Sequence, residues 1–152
     1  MESHDQLVVF SLDDQRYGLP LWSVERAVRA VEITPLPKAP EIVLGVINVQ
    51  GQLVPVVNLR RRFRLPERDI LLSDQIIVAQ TTNRLVALVV DSVLGVLTYS
   101  RREVVDADRI APDVDYVEGI VKADDGMVLI HDLDKFLSLD EVEALARALE
   151  DS

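Results

Sequence analysis

Apolar and polar positions alternate over short stretches along most of this chain. The alternation breaks at clusters of Gly, Pro and Asp, which predicts many short strands joined by tight turns. In "QLVVFSLDDQRYGLPL" (6–21), Val9 and Phe10 belong to an apolar run, "DDQ" offers a turn, and Tyr17 and Leu19 alternate around Gly18, so a hairpin is expected. "WSVERAVRAVEI" (22–33) fits a helical stripe through Val24, Val28 and Val31, but its β-branched density favours a short turn followed by a strand. Pro35, Pro37 and Pro40 take the chain out of any sheet, and "PEIVL" can form one helical turn with Gly45 as its left-handed stop.

"GVINVQGQLVPVVNLRRRF" (45–63) then reads as two strands around "QGQ", where Gly51 accepts positive φ. Pro55 lacks a ladder donor and predicts an edge strand or a bulge. "DQIIVAQTTNRLVALVVDSVLGVLTY" (74–99) gives a further hairpin turning at "TTNR", and "GIVKADDGMVLIHDL" (119–133) another turning at "DDG". The exception is "SLDEVEALARALEDS" (138–152), which reads as a helix. Ser138 caps it, Glu141 completes a capping box, and Leu139, Val142, Leu145 and Leu149 share one face. About nine or ten short strands and one helix predict an all-β barrel or sandwich.

Two of the hairpins resemble each other. Gly45-Val46-Ile47 matches Gly119-Ile120-Val121, and Val57-Asn58-Leu59 matches His131-Asp132-Leu133, at the same separation in the chain. The match points to two copies of one small β unit, against a chance likeness of two hydrophobic hairpins. Units of about 70 residues would have thin cores, so they would have to pack on each other.

Composition narrows the function. The chain has 152 residues, 49% hydrophobic, with 16 Lys and Arg against 26 Asp and Glu, a formal net charge of −10. Such an acidic chain is repelled by phosphate backbones and anionic lipid, so neither nucleic acid nor membrane is the expected partner. No apolar run is long enough to span a bilayer and the start does not read as a signal peptide, so a cytoplasmic location is expected. There is no cysteine, and neither His4 nor His131 has companions at metal-ligand or catalytic-triad spacing. The glycines form no phosphate loop, and the acidic stretches match no calcium loop. No catalytic residue, cofactor or metal site is expected. The run "RRRFR" (60–64) lacks interleaved aromatics for a nucleic-acid groove. It reads as a docking patch for an acidic partner surface or as salt bridges to local carboxylates.

Three blocks, "FSLDDQRYGLPL", "GVINVQGQLVPVVNL" and "LVALVVDSVLGVL", together resemble the signature blocks of the CheW family of bacterial chemotaxis coupling proteins. The likeness runs from about Leu7 to Leu145. It implies two intertwined five-stranded SH3-like β-barrels with a C-terminal helix, forming one domain over 1–152. The subdomains are expected at about 18–82 and 83–137, with the N-terminal strands and the helix packing across. It also implies a non-enzymatic adaptor that binds the regulatory domain of a CheA-type histidine kinase and the cytoplasmic tip of chemoreceptors.

The family's hairpin turn Asn-Leu-Arg-Gly is here Asn48-Val49-Gln50-Gly51, so Gln50 replaces an arginine that the resemblance assigns to receptor contact. Arg26 stands where the family often has an acid. These departures keep open a CheW-like scaffold for a non-receptor partner, such as a protein-localising factor. Val24, Gly45, Ala87, Val93 and Val96 match apolar or small positions around the family's partner surfaces, and Arg109 and Ile110 match its second kinase-binding loop. Each reads equally as an ordinary barrel residue.

Overall fold

A computed structural model describes residues 4–106, 117–123 and 126–150. Eleven strands occur among the described residues. β1 (His4–Leu12) and β2 (Gln15–Pro20) form the first hairpin, and the one-turn 3-10 helix Leu21–Ser23 leads into β3 (Val24–Arg29). β4 (Val43–Val49) and β5 (Gln52–Val57) are followed by the single turn α1 (Leu59–Arg62), then by β6 (Gln75–Gln80) and β7 (Leu85–Val90). β8 (Ser92–Ser100), β9 (Val104–Asp106), β10 (Val117–Ala123) and β11 (Gly126–His131) precede a 3-10 turn, Leu133–Phe136, and the helix α2 (Leu139–Glu150).

The strands form a five-stranded sheet, β3-β6-β7-β5-β4, and a six-stranded sheet, β8-β1-β2-β11-β10-β9. Both use the same pairing sequence. In the first, β5 lies parallel to β7; in the second, β11 lies parallel to β2; the other pairs are antiparallel. Residues align row by row. Arg26, Val78, Ala87, Val56 and Gly45 are successive partners across the first sheet, and Gly95, Val9, Gly18, Ile130 and Gly119 across the second. The duplication read from the two hairpins therefore extends to whole sheets. The N-terminal hairpin β1–β2 fills, in the second sheet, the place that β6–β7 fills in the first, which is how the halves intertwine.

Each sheet curls so that chain leaving one edge reaches the other. Beyond β3, Thr34 bridges to Val46 on β4, while beyond β8 the chain turns through a 3-10 helix into β9, which pairs with β10. Closure thus takes one bridge in the first unit and a three-residue strand in the second, so the two intertwined SH3-like units have five and six strands. The sheet changes at Asp91, so a boundary at 82–83 falls inside the β6–β7 hairpin.

Three clusters fill the interior. Ile47, Val54, Val56, Ile76, Val78 and Ala87 fill the first unit, and Leu7, Val9, Val121, Val128 and Ile130 the second. The largest cluster lies between the units and draws Phe10, Tyr17 and Leu19 from one, Leu59, Ile77 and Leu88 from the other, and Leu145 from α2. Two thin barrels stabilise each other through this shared core. Within it, the Phe63 ring stacks on His131 at 4.6 Å and on Tyr17 at 5.0 Å between centroids. His131 is a buried ring of the aromatic core.

Four local expectations change. Gly45 lies inside β4, paired with Val56, and does not stop a helical turn. Pro55 lies in an interior strand, but the β5–β7 ladder begins only at Val56–Ala87, directly after the proline that supplies no donor. The arginine run does not continue a strand: the Asn58 side chain caps α1, accepting from the Arg61 N–H at 3.2 Å. The capping box of α2 forms as expected, with Ser138 and Glu141 exchanging bonds of 2.8 and 3.1 Å, but Leu139, in its first turn, is exposed and lies off the packed face.

Candidate partner-binding surface

Four of the expected site residues, Val24 and Arg26 on β3 and Val93 and Val96 on β8, lie on two edges that the internal repeat relates. On β3, a register shift separates Val24, opposite Ala79, from Arg26, opposite Val78. On β8, a shift separates Val93, opposite Phe10, from Gly95, opposite Val9. Val24 and Val93 are structural twins, and each packs half-buried against the central core. A bulge twists a strand and re-aims its side chains, so both edges carry the same local device. Val96, one residue beyond the β8 bulge, is 55% exposed, with Leu94 beside it also exposed. Arg26 keeps about a third of its side chain exposed and meets Glu25 at 3.6 Å.

Gly45 and Ala87 share the Arg26 row but lie inside. A Cβ on Gly45 would sit 2.3 Å from the Thr34 carbonyl oxygen, so glycine here permits the bridge that closes the first unit. Ala87 is fully buried beside Val56 and Val78. Both shape the edge from behind it.

Gln50 and Gly51 form the exposed tip of the β4–β5 hairpin. Both have positive φ, 50° and 87°, as a two-residue type I′ turn requires, and the Gly51 N–H donates to Asn48 Oδ1 at 2.8 Å. Gly51 was legible as a positive-φ position; Gln50 was not, because glutamine does not announce one. Arg109 and Ile110 lie outside the described residues.

Polar clamps fix the two units relative to each other. Arg60, with 11% of its side chain exposed, donates to Asp13 in the β1–β2 turn at 2.8 Å and to Asp91 at the sheet change at 2.7 Å. Arg68 joins Asp91 at 2.7 Å to the buried Asp74 at 2.8 Å. Burial alone would push the Arg60 guanidinium down, but the bonds to Asp91 and Asp13 raise it above its ordinary value. Arg68 holds the Asp74 carboxyl below the usual carboxylate range, against the effect of burial. On another side, the Thr82 N–H and hydroxyl donate to the two Asp134 oxygens at 2.7 and 2.8 Å.

Beside this second clamp lies a cavity of about 190 Å³ between the units. Glu118 and Asp132 line it, and Trp22 stands at it, 85% exposed. Burial, then the Asp132 charge, pushes the Glu118 carboxyl up. Trp22 was not legible as a surface residue, since a tryptophan after Pro-Leu reads equally as core. Among the described residues no group of three or more His, Asp or Glu is placed to hold a metal ion, and no helix is long and apolar enough to cross a membrane.

This arrangement has known counterparts. The CheW-like domain matches residues 6–141. A chemotaxis protein CheW of Rhizobium meliloti is 32% identical over 141 residues, covering 91% of this chain and 91% of that protein. Protein FrzA of Myxococcus xanthus is 30% identical over 146 residues, covering 91% and 88%. The crystal structure of the scaffolding protein TtCheW from Thermoanaerobacter tengcongensis superposes with a TM-score of 0.82 at 31% identity, covering 93% of this chain and 96% of that one. With most of its length matched in sequence and in fold, the chain belongs to the CheW-like family.

Proposed function

We propose that this protein is a non-enzymatic cytoplasmic adaptor that couples the cytoplasmic tip of chemoreceptors to the regulatory domain of a CheA-type histidine kinase. The observation that carries the reading is the repeated bulged edge, Val24–Arg26 on β3 and Val93–Gly95 on β8, within a fold matched over nearly its whole length by chemotaxis proteins CheW. A molecule with two related edges on a rigid, clamped frame is suited to hold two partners at once. Apolar positions there supply contact area, and exposed charges set the choice of partner. Arg109 and Ile110 belong to the proposed kinase-binding set by the resemblance alone.

A second reading rests on Gln50 and Arg26: with the turn's arginine absent and a cation on β3, the positions that the resemblance assigns to the receptor carry altered charge and can serve a CheW-like scaffold with a non-receptor partner. Reconstitution separates the two. The chain is mixed with purified kinase and receptor cytoplasmic fragments, and both sedimentation of the ternary complex and kinase turnover are measured. Coupling predicts co-sedimentation of all three and receptor-dependent kinase activity. Binding to kinase alone supports the second reading, and binding to neither overturns the adaptor assignment.

A further inference from the structure

The arginine run divides by role. Arg60 is buried in its clamp, and Arg62 donates to both oxygens of Glu141 on α2 at 2.6 and 2.7 Å. Arg61 and Arg64 are exposed. Around them lies an open concavity of about 260 Å³, lined by Glu41, Ile42, Arg61, Arg62, Arg64 and Glu141.

Arg64 sits on a backbone that disfavours it. The end of α1 is a Schellman motif: the Leu65 N–H donates to the Arg60 carbonyl at 2.8 Å and the Arg64 N–H to the Arg61 carbonyl at 3.2 Å. Arg64 thereby takes the left-handed position, with φ at 59°, where glycine is favoured. Its side chain forms no ion pair with another described residue, so no contact of that kind offsets the strain. Arg61 is also exchangeable: its contact with the Glu41 carboxylate joins two exposed groups at 3.4 Å, its bond to the Glu41 carbonyl is as long and exposed, and such contacts hold weakly.

We propose that this concavity docks an acidic peptide segment of a partner protein. One carboxylate of the segment pairs with Arg64 and a second displaces Glu41 from Arg61. Arg62 stays with Glu141 and forms a fixed wall. A short carboxylate peptide fits the charge pattern better than nucleic acid does, because Glu41, Glu141 and a net charge of −10 repel an extended polyanion. The proposal goes beyond the coupling function and does not depend on it.

The test is fluorescence anisotropy of a labelled hexaglutamate peptide titrated with the full chain, at low salt and at about 0.15 M salt. Wild type is expected to bind, more weakly at the higher salt. Arg61→Ala and Arg64→Gly should each weaken binding about fivefold. Arg29→Ala, an exposed arginine on β3, should leave it unchanged. Arg64→Gly should at the same time raise the thermal midpoint, because it removes the left-handed strain; this separates lost docking from lost folding. Absence of peptide binding to wild type at low salt overturns the proposal, as does equal binding by Arg64→Gly. A thymidine oligonucleotide of equal charge competing as well as unlabelled peptide overturns the choice of partner. A lowered midpoint for Arg64→Gly overturns the strain argument.

Discussion

Gly45 and Gly119 occupy the same place in the two sheets: each follows a register shift in its strand, and they pair with the matching residues Val56 and Ile130. Their surroundings differ. A Cβ on Gly45 would meet the Thr34 backbone at 2.3 Å, whereas a Cβ on Gly119 would meet a Val104 methyl at 2.6 Å and the Val105 carbonyl at 3.3 Å. Backbone cannot yield without breaking the Thr34–Val46 bridge, while a valine side chain can turn. Gly45→Ala should therefore cost about 3 kcal/mol and Gly119→Ala about 1 kcal/mol. Urea denaturation of the two variants checks the order, and a larger loss at Gly119 would contradict the account.

The Arg60 clamp spans both units, so its loss should be felt globally. Arg60→Leu removes a nearly buried cation from Asp13 and Asp91, leaving Asp91 with Arg68 as its one cation and the Asp13 N–H as its other donor. A loss of about 2–4 kcal/mol is expected, in one cooperative transition because the central core is shared. Two separate transitions in a thermal scan would mean that the units fold independently.

Acid stability should depend on Asp74. Its carboxyl is lowered in the folded state, so the unfolded chain binds the proton more readily. The stability it contributes is complete above about pH 4, the ordinary carboxylate value, and is lost as pH falls through the lower folded value. Asp74→Asn should be destabilised at neutral pH, and the gap to wild type should close on acidification. Glu118 carries the opposite sign, raised by burial and by Asp132. Because Glu118 is also partly exposed to water, Glu118→Gln should stabilise only slightly at neutral pH, and that gain should shrink as pH falls through the raised folded value and be gone below the ordinary carboxylate value. Denaturation midpoints across the acid range decide both.

Much of this fold was legible because its signals are local. The hairpins followed from alternation and turn residues, and the helix α2 from Ser138 and Glu141. The repeat followed from two glycines and two polar-Leu pairs in one register. Signals that needed a third dimension were hidden. Nothing in the sequence places β1–β2 in the sheet of β10 and β11, because parallel pairing between distant strands leaves no local mark. The arginine run could be narrowed only to salt bridges or a docking patch, and its division depended on the Asn58 cap turning the chain into α1. Of the partner-surface residues, Val24 and Val93 were named from resemblance, but their equivalence rests on bulges that appear only in the paired sheets.

The β4–β5 tip offers the sharpest test of partner choice. Gln50 is exposed and holds positive φ, which arginine tolerates about as well as glutamine, so Gln50→Arg changes charge with little change in folding. Gln50→Asn serves as the backbone control: asparagine suits a type I′ turn and should stabilise the hairpin by about 0.5 kcal/mol without adding charge. If the partner is a chemoreceptor tip and the turn contacts it as the resemblance implies, Gln50→Arg should tighten that complex by about 1 kcal/mol, more at low salt than at high. If the surface serves another partner, the same change should weaken the native complex by about 1–3 kcal/mol, as expected for a mispaired group in an interface. Calorimetric titration of wild type and both variants at two salt concentrations distinguishes these outcomes. Equal affinity for wild type and Gln50→Arg at both salts would remove the hairpin tip from the partner surface.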